Sequence, residues 1–200
     1  MTVEAPVLVG TDAAFPCQVS VSRGSGKRLL AAGLGDVATE SVHVAITWAA
    51  INVPQLCKSV IRRGGRVRTT LLCAKEDIRF ISTQVDCLKE GPSSGACVGL
   101  SLVCWLTACT LKRKLIGVTG ALDLRGRIFS VGGLNEKAQV AQEAGLAMVV
   151  VPQEDYDQLK SSDFSLIPEG VRGYAKTTFR GANTMADVLR QAIEGKYRSC

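Results

Sequence analysis

The chain has 200 residues, 46% of them hydrophobic, which is enough to bury one sizeable core. No linker-like or low-complexity stretch divides it and no repeat recurs, so we predict a single domain over residues 1–200, with a small C-terminal lobe from about residue 146 as an option. The net charge of +6 is concentrated at 62–68 and 112–114. Few aromatic residues lie among these charges, so nucleic acid is not an expected partner.

The cysteine and histidine content argues against a metal site. Eight cysteines form no CxxC pair, and one histidine is too few to complete a typical zinc site. Cys97, Cys104 and Cys109 lie in an apolar run, and no signal-peptide pattern opens the chain. We therefore expect reduced, buried thiols in an intracellular protein, with no metal and no cofactor bound by this chain.

The predicted elements of the first half begin with a strand over 15–22 and a hairpin partner starting at 28, joined by Gly24-Ser25-Gly26. Apolar residues at three- and four-residue intervals then predict a helix over 36–52, which we expect Pro54 to end. Partial two-residue alternation predicts strands over 66–74 and 77–85. These elements already mix both types of secondary structure.

An uncharged segment, 91–111, is followed at once by three basic residues, which raises the question of a membrane span. Its truly apolar part, 96–111, is shorter than the ~20 residues a spanning helix needs. Ser101, Thr107 and Thr110 also interrupt it. We therefore predict a buried core helix rather than a membrane anchor.

The second half continues with a strand over 115–119 and a hairpin over 121–131 that turns at Arg125-Gly126. A helix follows over 134–144, with Gly145 as its C-terminal cap, then a buried strand over 147–152. A polar helix over 153–161 and a last helix over 184–194, capped by Asn183 or Thr184, complete the chain. The order of elements predicts a mixed α+β fold.

Ser93 is the first candidate for chemistry. It follows Pro92 in the sequence KEGPSSG, directly before the predicted core helix. Free backbone N–H groups in the first turn of a helix can bind a developing oxyanion, and Gly95 would allow substrate backbone to pass closely. A serine that only caps the helix explains the same pattern.

A serine nucleophile needs a base, and two residue types are available. His43, the only histidine, lies between Val42 and Val44 in a predicted helix, and we interpret it as structural. Lys137 lies in the first turn of the helix after Gly132-Gly133, where the helix dipole disfavours positive charge. Burial there would lower the pKa of its amine enough for it to act as a base. An ordinary surface lysine is the alternative interpretation.

Three longer segments, KEGPSSGACVGLSLVCWLT, GVTGALDLRGRIFSVGGLNEK and AGLAMVVVPQED, resemble in order and spacing the proteolytic domain of Lon proteases. GSGKRLLAAGLGDVATES and TMADVLRQAIEG extend the resemblance to nearly the whole chain. The resemblance implies the Lon proteolytic-domain fold and a serine endopeptidase with a Ser/Lys dyad. Its substrates would be unfolded proteins or peptides.

By position, the resemblance places the nucleophile at Ser93 and the base at Lys137. It gives Thr119 a supporting role, with its hydroxyl bonded to the lysine amine, and forms the oxyanion hole from backbone N–H groups around Ser93 and Ser94. Glu90 stands beside the nucleophile where many members have Asp. Ala121 replaces a frequent Glu, and Asn135 a frequent Lys, and neither change removes a dyad residue.

The resemblance also implies partners and a compartment. It suggests a ring of six subunits and a location in the cytoplasm or mitochondrial matrix. It further suggests an ATPase that unfolds substrates. GSGKR is not a P-loop, because Arg28 follows the lysine and the required earlier glycine is missing, so we expect ATP to act only through a separate ATPase partner. The alternative is a non-catalytic scaffold of this fold in a larger assembly, possibly one containing nucleic acid.

Overall fold

The computed structural model describes residues 5–30, 33–61, 76–82, 90–113, 115–161 and 177–194. In these ranges the chain forms the expected α+β fold, a mixed sheet with helices against both faces. The strands are β1 (Val7–Val9), β2 (Ala14–Arg23), β3 (Arg28–Leu29), β4 (Glu76–Ser82), β5 (Ile116–Val118), β6 (Ala121–Leu122), β7 (Ile128–Phe129), β8 (Met148–Pro152) and β9 (Thr178–Ala182). The helices are α1 (Asp36–Ile61), α2 (Gly95–Thr107), α3 (Leu134–Glu143), α4 (Gln153–Ser161) and α5 (Met185–Ala192).

The main sheet has the order β3-β4-β2-β1-β5-β8-β9, and β6 pairs with β7 in a separate hairpin. The strands β1, β5, β8 and β9 run parallel, whereas β2 is antiparallel to both β1 and β4. Strands β8 and β9, from the segment predicted as a small lobe, pair into the same sheet as β5. The connection that follows β1, residues 10–13, borders the candidate site.

Two hydrophobic clusters lie on opposite faces of this sheet. Alternate residues of β8 contribute to each, with Met148 and Val150 in the larger cluster and Val149 and Val151 in the smaller one. The larger cluster also holds α1, α2 and α5, and the smaller one α3 and α4. Since both faces of β8 are covered, its sequence is apolar throughout rather than alternating.

Helix α1 is longer than predicted, because it continues through Pro54 to Ile61. The expectation that Pro54 ends the helix is wrong. A proline inside a helix removes one backbone hydrogen bond and disfavours a straight continuation. Val53, directly before it, is only 3% exposed in the main core, so tertiary packing holds the helix at this point.

The predicted hairpin between β2 and the segment from residue 28 is also wrong. β3 instead pairs in parallel with β4, which lies between β3 and β2. The Asp77 side chain of β4 accepts hydrogen bonds from the N–H groups of Ser25 and Lys27, at 2.9 and 2.7 Å. A later strand therefore occupies the position that sequence proximity assigned to β3.

Helix α2 is the buried core helix that was predicted, but it ends earlier, at Thr107 rather than Leu111. Ala108 adopts a left-handed conformation with φ of 51°, which is uncommon for alanine and gives no signal in the sequence. The hydroxyls of Ser101 and Thr107 donate to backbone carbonyls, so their burial is satisfied. No helix in the described ranges combines the length and apolar character needed to cross a bilayer.

The thiols of α2 are buried as predicted. Cys97 is fully buried, and loss of hydration raises its pKa well above that of a free thiol. Burial likewise raises the pKa of Cys104 to about 12, whereas Cys109 is half-buried. Such thiols are poor nucleophiles near neutral pH. The side chains of Cys57, Cys73, Cys87 and Cys200 lie outside the described residues.

Most remaining elements match their predictions. The strand before Thr119, the hairpin over 121–131, the helices α3 and α4 and the strand β8 are all confirmed. Helix α5 begins after Thr184, whose hydroxyl accepts from the N–H of Asp187 in a capping box. β1 and β9 were not predicted, and the strand predicted over 66–74 lies outside the described residues.

Candidate active site

One cavity of about 300 Å³ brings together Ser93 and Lys137, which are far apart in sequence and lie on different elements. Glu90 and Ser94 line it too, whereas Thr119 is absent from its lining. The cavity is bordered by the connection between β1 and β2, the start of α2, and the segment that enters α3. Its lining residues are Leu8, Gly10, Thr11, Asp12, Ala13, Phe15, Leu34, Ala38, Phe80, Glu90, Gly91, Pro92, Ser93, Ser94, Val131, Gly132 and Lys137.

Ser93 lies in a short 3-10 helix, Pro92–Ser94, that leads directly into α2. Its side chain is half-buried, and among the described residues its hydroxyl has no hydrogen-bond partner. Gly91 and Ser94 occupy the cap positions of the two helices, so the interpretation of Ser93 as a helix cap is wrong. The hydroxyl of Ser93 is left available to a molecule in the cavity.

The turn that carries Ser93 is fixed from two sides. The N–H of Gly120 donates to the carbonyl of Ser93 at 3.0 Å, and the N–H of Ala96 donates back to Gly120 at 3.1 Å. From α1, the hydroxyl of Ser41 donates to the carbonyl of Pro92 at 2.8 Å. These bonds join the turn to the end of β5 and to α1, which gives Ser93 a defined position.

Ser94 and Gly95 serve the packing of this turn. Ser94 is buried, and its hydroxyl donates to Ser41 at 3.4 Å. Gly95 is also buried, and a Cβ there would lie 3.0 Å from both Leu122 and Ser41. The expectation that Gly95 lets substrate pass is therefore wrong, because its small size admits the protein's own side chains.

Lys137 lies in the first turn of α3 and is only 6% exposed, so the surface-lysine interpretation is wrong. Loss of hydration on burial lowers the pKa of its amine below the ordinary value of 10.5. The negative charges of Asp155 and Glu136 act in the opposite direction and only partly offset this effect. No hydrogen bond or salt bridge to the described residues holds the amine in its charged form.

Thr119 follows β5 and is 1% exposed. Its hydroxyl oxygen has no hydrogen-bond partner among the described residues, so the expected bond to the Lys137 amine is not formed in this structure. The backbone provides the connection instead, because the N–H of Thr119 donates to Val150 at 3.1 Å and the next residue, Gly120, binds Ser93. Thr119 thus links β8 to the turn of Ser93 through main-chain bonds.

Glu90 is exposed and lines the cavity close in sequence to Ser93. His43 is exposed on α1 and does not line the cavity. The oxyanion role of backbone N–H groups near Ser93 and Ser94 stays a prediction. In the described part of the chain, no three His, Cys, Asp or Glu side chains are grouped to hold a metal ion.

Asp155, in α4, is a buried polar residue that sequence analysis did not single out. It is 1% exposed and accepts hydrogen bonds from the hydroxyl of Ser130 and, at 3.2 Å, from the N–H of Val131. The sequence shows it only as one of two acidic residues in the first turn of a polar helix. Its hydrogen-bond donors lie in the segment that follows β7, which is distant in sequence from α4. Local patterns therefore do not reveal them.

Gly133 sets the entry into α3. It has φ of +71°, and a Cβ at this position would lie 2.4 Å from the Thr11 side chain. We expect Gly133→Ala to lower the free energy of unfolding by about 1–3 kcal/mol and to displace Lys137. Gly132→Ala is the matched control, because nothing lies within 4 Å of a Cβ there. Equal urea midpoints for the two variants would contradict the claim that the fold requires a glycine at position 133.

The sequence matches the family model described as "Lon protease (S16) C-terminal proteolytic domain" over residues 7–195. Lon protease 1 of Bacillus subtilis (strain 168) is 33% identical over 190 residues, covering 95% of this chain and 22% of that protein. Lon protease 2 of Thermus thermophilus is 32% identical over 191 residues, covering 96% of this chain and 21% of that protein. Lon protease homolog 2, peroxisomal, of Danio rerio is 31% identical over 182 residues, covering 91% and 20%. The chain spans about a fifth of the length of these curated relatives.

Proposed function

Because this chain belongs to the Lon protease C-terminal proteolytic domain family, we propose that it is a serine peptidase with Ser93 as nucleophile and Lys137 as general base. One observation carries the proposal. Ser93, whose hydroxyl has no hydrogen-bond partner among the described residues, and Lys137, a buried amine with a lowered pKa, line the same cavity. Serine paired with a neutral lysine is a known alternative to serine paired with histidine.

In the proposed first step, the Ser93 oxygen attacks the carbonyl carbon of a peptide bond and its proton passes to the Lys137 amine. The negative charge that forms on the carbonyl oxygen would be stabilised by N–H groups at the Ser93 turn. The protonated lysine then gives its proton to the leaving amine, so the peptide bond breaks and an acyl-enzyme remains.

In the second step, Lys137 takes a proton from water, which attacks the ester to Ser93. The proton then returns to the serine oxygen when the new carboxylic acid leaves. One amine thus serves both steps, and burial supports this role because it lowers the pKa of the amine and so increases the neutral fraction that can accept a proton. Thr119 would support the site through its backbone, and Glu90 would stand at the mouth near the substrate.

The proposed substrate is an extended stretch of an unfolded protein or a peptide. Leu8, Phe15, Leu34 and Phe80 give the cavity an apolar wall beside Ser93, suited to a side chain of such a stretch. Its volume of about 300 Å³ holds a few side chains and not a folded domain. The test is to compare cleavage of a protein in its denatured and native states, and equal cleavage of both would contradict this substrate class.

The pH dependence of cleavage follows from the state of Lys137. The base must be neutral, so the rate falls as pH decreases through the pKa of Lys137. Since burial places this pKa below 10.5, the rate should reach its plateau at lower pH than an ordinary lysine would allow. We expect kcat/KM, measured from pH 6 to 10, to rise and then level off. A rate that still rises about tenfold per unit up to pH 10 would contradict a depressed pKa.

Assembly and compartment remain proposals from the family resemblance. We propose a homo-oligomer, a hexamer by analogy, and a separate ATPase partner that would deliver unfolded substrate. The proposed compartment is the cytoplasm or the mitochondrial matrix. Sedimentation of the purified chain tests the assembly directly, since a monomer at every concentration would contradict it.

A further inference from the structure

The inference concerns the segment Ser130–Gly133, which connects β7 to α3 and lines the cavity at Val131 and Gly132. This segment sets the start of α3 and with it the position of Lys137, because the N–H of Lys137 donates to the carbonyl of Gly133 at 3.0 Å. Any group that fixes the segment therefore also fixes the lysine side chain relative to Ser93.

Asp155 is that group. Its two carboxylate oxygens are used separately, with Oδ1 accepting from the hydroxyl of Ser130 and Oδ2 accepting from the N–H of Val131 at 3.2 Å. Because Asp155 is 1% exposed, water competes little for these bonds. A buried carboxylate with two donors from one segment acts as a clamp across the gap between α4 and the start of α3.

The negative charge of the same carboxylate also acts on the Lys137 amine and favours its protonated form. Among the described residues, the other acidic groups that act on this amine or share its cavity are Glu136 on α3, Asp12 in the β1–β2 connection, and Glu90 ahead of the Ser93 turn. Those three are exposed, so solvent screens their charges, whereas the charge of Asp155 is screened much less.

We propose that Asp155 is a positioning residue for Lys137, which it serves in two ways: its hydrogen bonds hold the segment entering α3, and its charge acts on the lysine amine across the buried interior. The proposal rests on the proposed function for its effect on cleavage. Asp155 touches neither Ser93 nor substrate in this arrangement, so its contribution passes through the lysine.

The decisive variant is Asp155→Asn, which keeps the size of the side chain and one acceptor oxygen but removes the charge. We expect kcat to fall about tenfold or more from displacement of the lysine, with KM little changed. The acidic limb of the pH profile should also move to lower pH by roughly half to one unit, because a neighbouring negative charge favours the protonated amine. Asp157→Asn is the matched control, since it removes an exposed carboxylate from the same helix.

A second readout does not depend on peptidase activity. Acetic anhydride acetylates a lysine amine only when the amine is neutral. The pH dependence of Lys137 acetylation, followed by peptide mass spectrometry, therefore gives the pKa of that amine in each variant. A midpoint shifted to lower pH in Asp155→Asn, but not in Asp157→Asn, supports the proposal even if Ser93→Ala cleaves peptides as fast as the natural chain. Equal midpoints in all three chains overturn it.

Ser130→Ala separates the clamp from the charge. It removes one hydrogen bond to Asp155 and leaves the carboxylate in place. We expect a lower kcat with an unmoved acidic limb, a pattern that general destabilisation would not produce at a temperature where circular dichroism shows the variant fully folded. Should Asp155→Asn fail to fold, Ser130→Ala still decides the positioning role, because natural kcat in this variant overturns it.

Discussion

Replacing Ser93 with alanine should reduce peptide cleavage by at least about 10³-fold, because it removes the hydroxyl on which the acyl-enzyme would form. The half-buried hydroxyl contributes no hydrogen bond to the fold among the described residues, so the variant should unfold at nearly the same temperature as the natural chain. Initial rates with a fluorogenic peptide, together with a thermal melt, measure both effects.

Ser161→Ala provides the control for this substitution. Ser161 is an exposed serine at the end of α4, remote from the cavity lining, and its loss should leave the rate unchanged. If Ser93→Ala and Ser161→Ala cleaved the peptide equally fast, the nucleophile would have to be another group. The proposed chemistry would then be wrong even though the family assignment would stand.

Replacing Lys137 with methionine should abolish cleavage as fully as the loss of Ser93, and at the same time stabilise the fold. Burial of the amine disfavours its charged form in the folded chain, so the folded state binds fewer protons than the unfolded state between the lowered pKa and 10.5. Below that window the full cost of burying the charge is present. Methionine has similar length and no charge to bury, so Tm near pH 7 should rise by about 2–4 °C, the shift that ~1 kcal/mol makes at this size.

The gain in stability should shrink as pH rises from the lowered pKa of Lys137 to 10.5 and be lost above 10.5, where the lysine is neutral in both states. Lys27→Met is the matched control, because Lys27 is exposed and does not line the cavity. Lys137→Arg provides the complementary variant, since arginine keeps its proton and should be inactive without the gain in stability. A Lys137→Met chain that melts lower at pH 7 than the natural chain would contradict the burial argument.

The predictions that succeeded from sequence are those in which local pattern and burial agree. The run from Met148 to Pro152 is apolar at every position because helices cover both faces, and Gly145 follows α3 where a left-handed residue is needed. The position of Lys137 in the first turn of α3 was likewise predicted from the preceding glycine pair. Its near-complete burial depends on tertiary packing, which no local pattern contains.

The predictions that failed involve long-range contacts. Pro54 signals a helix end, yet the packing of Val53 against the core carries α1 past it. β3 follows β2 closely in sequence, but β4 lies between them in the sheet. The Asp77 side chain of β4 accepts a hydrogen bond from the N–H of Lys27, just before β3. Asp155 gives no local signal for the same reason, since the donors to its carboxylate, Ser130 and Val131, belong to a segment distant in sequence. Sequence identified the two candidate side chains that share the cavity and missed the contacts that position them.

The central claim is that the Lys137 amine activates the Ser93 hydroxyl, and covalent labelling by a fluorophosphonate tests it most directly. Such a probe reacts with an activated serine and needs neither an unfolding partner nor a particular peptide. We predict a single adduct on Ser93 in the natural chain, formed faster as pH rises through the pKa of Lys137, and almost none in Lys137→Met. Labelling of Ser93 at the same rate in both chains, or an adduct on a different residue, would contradict the account.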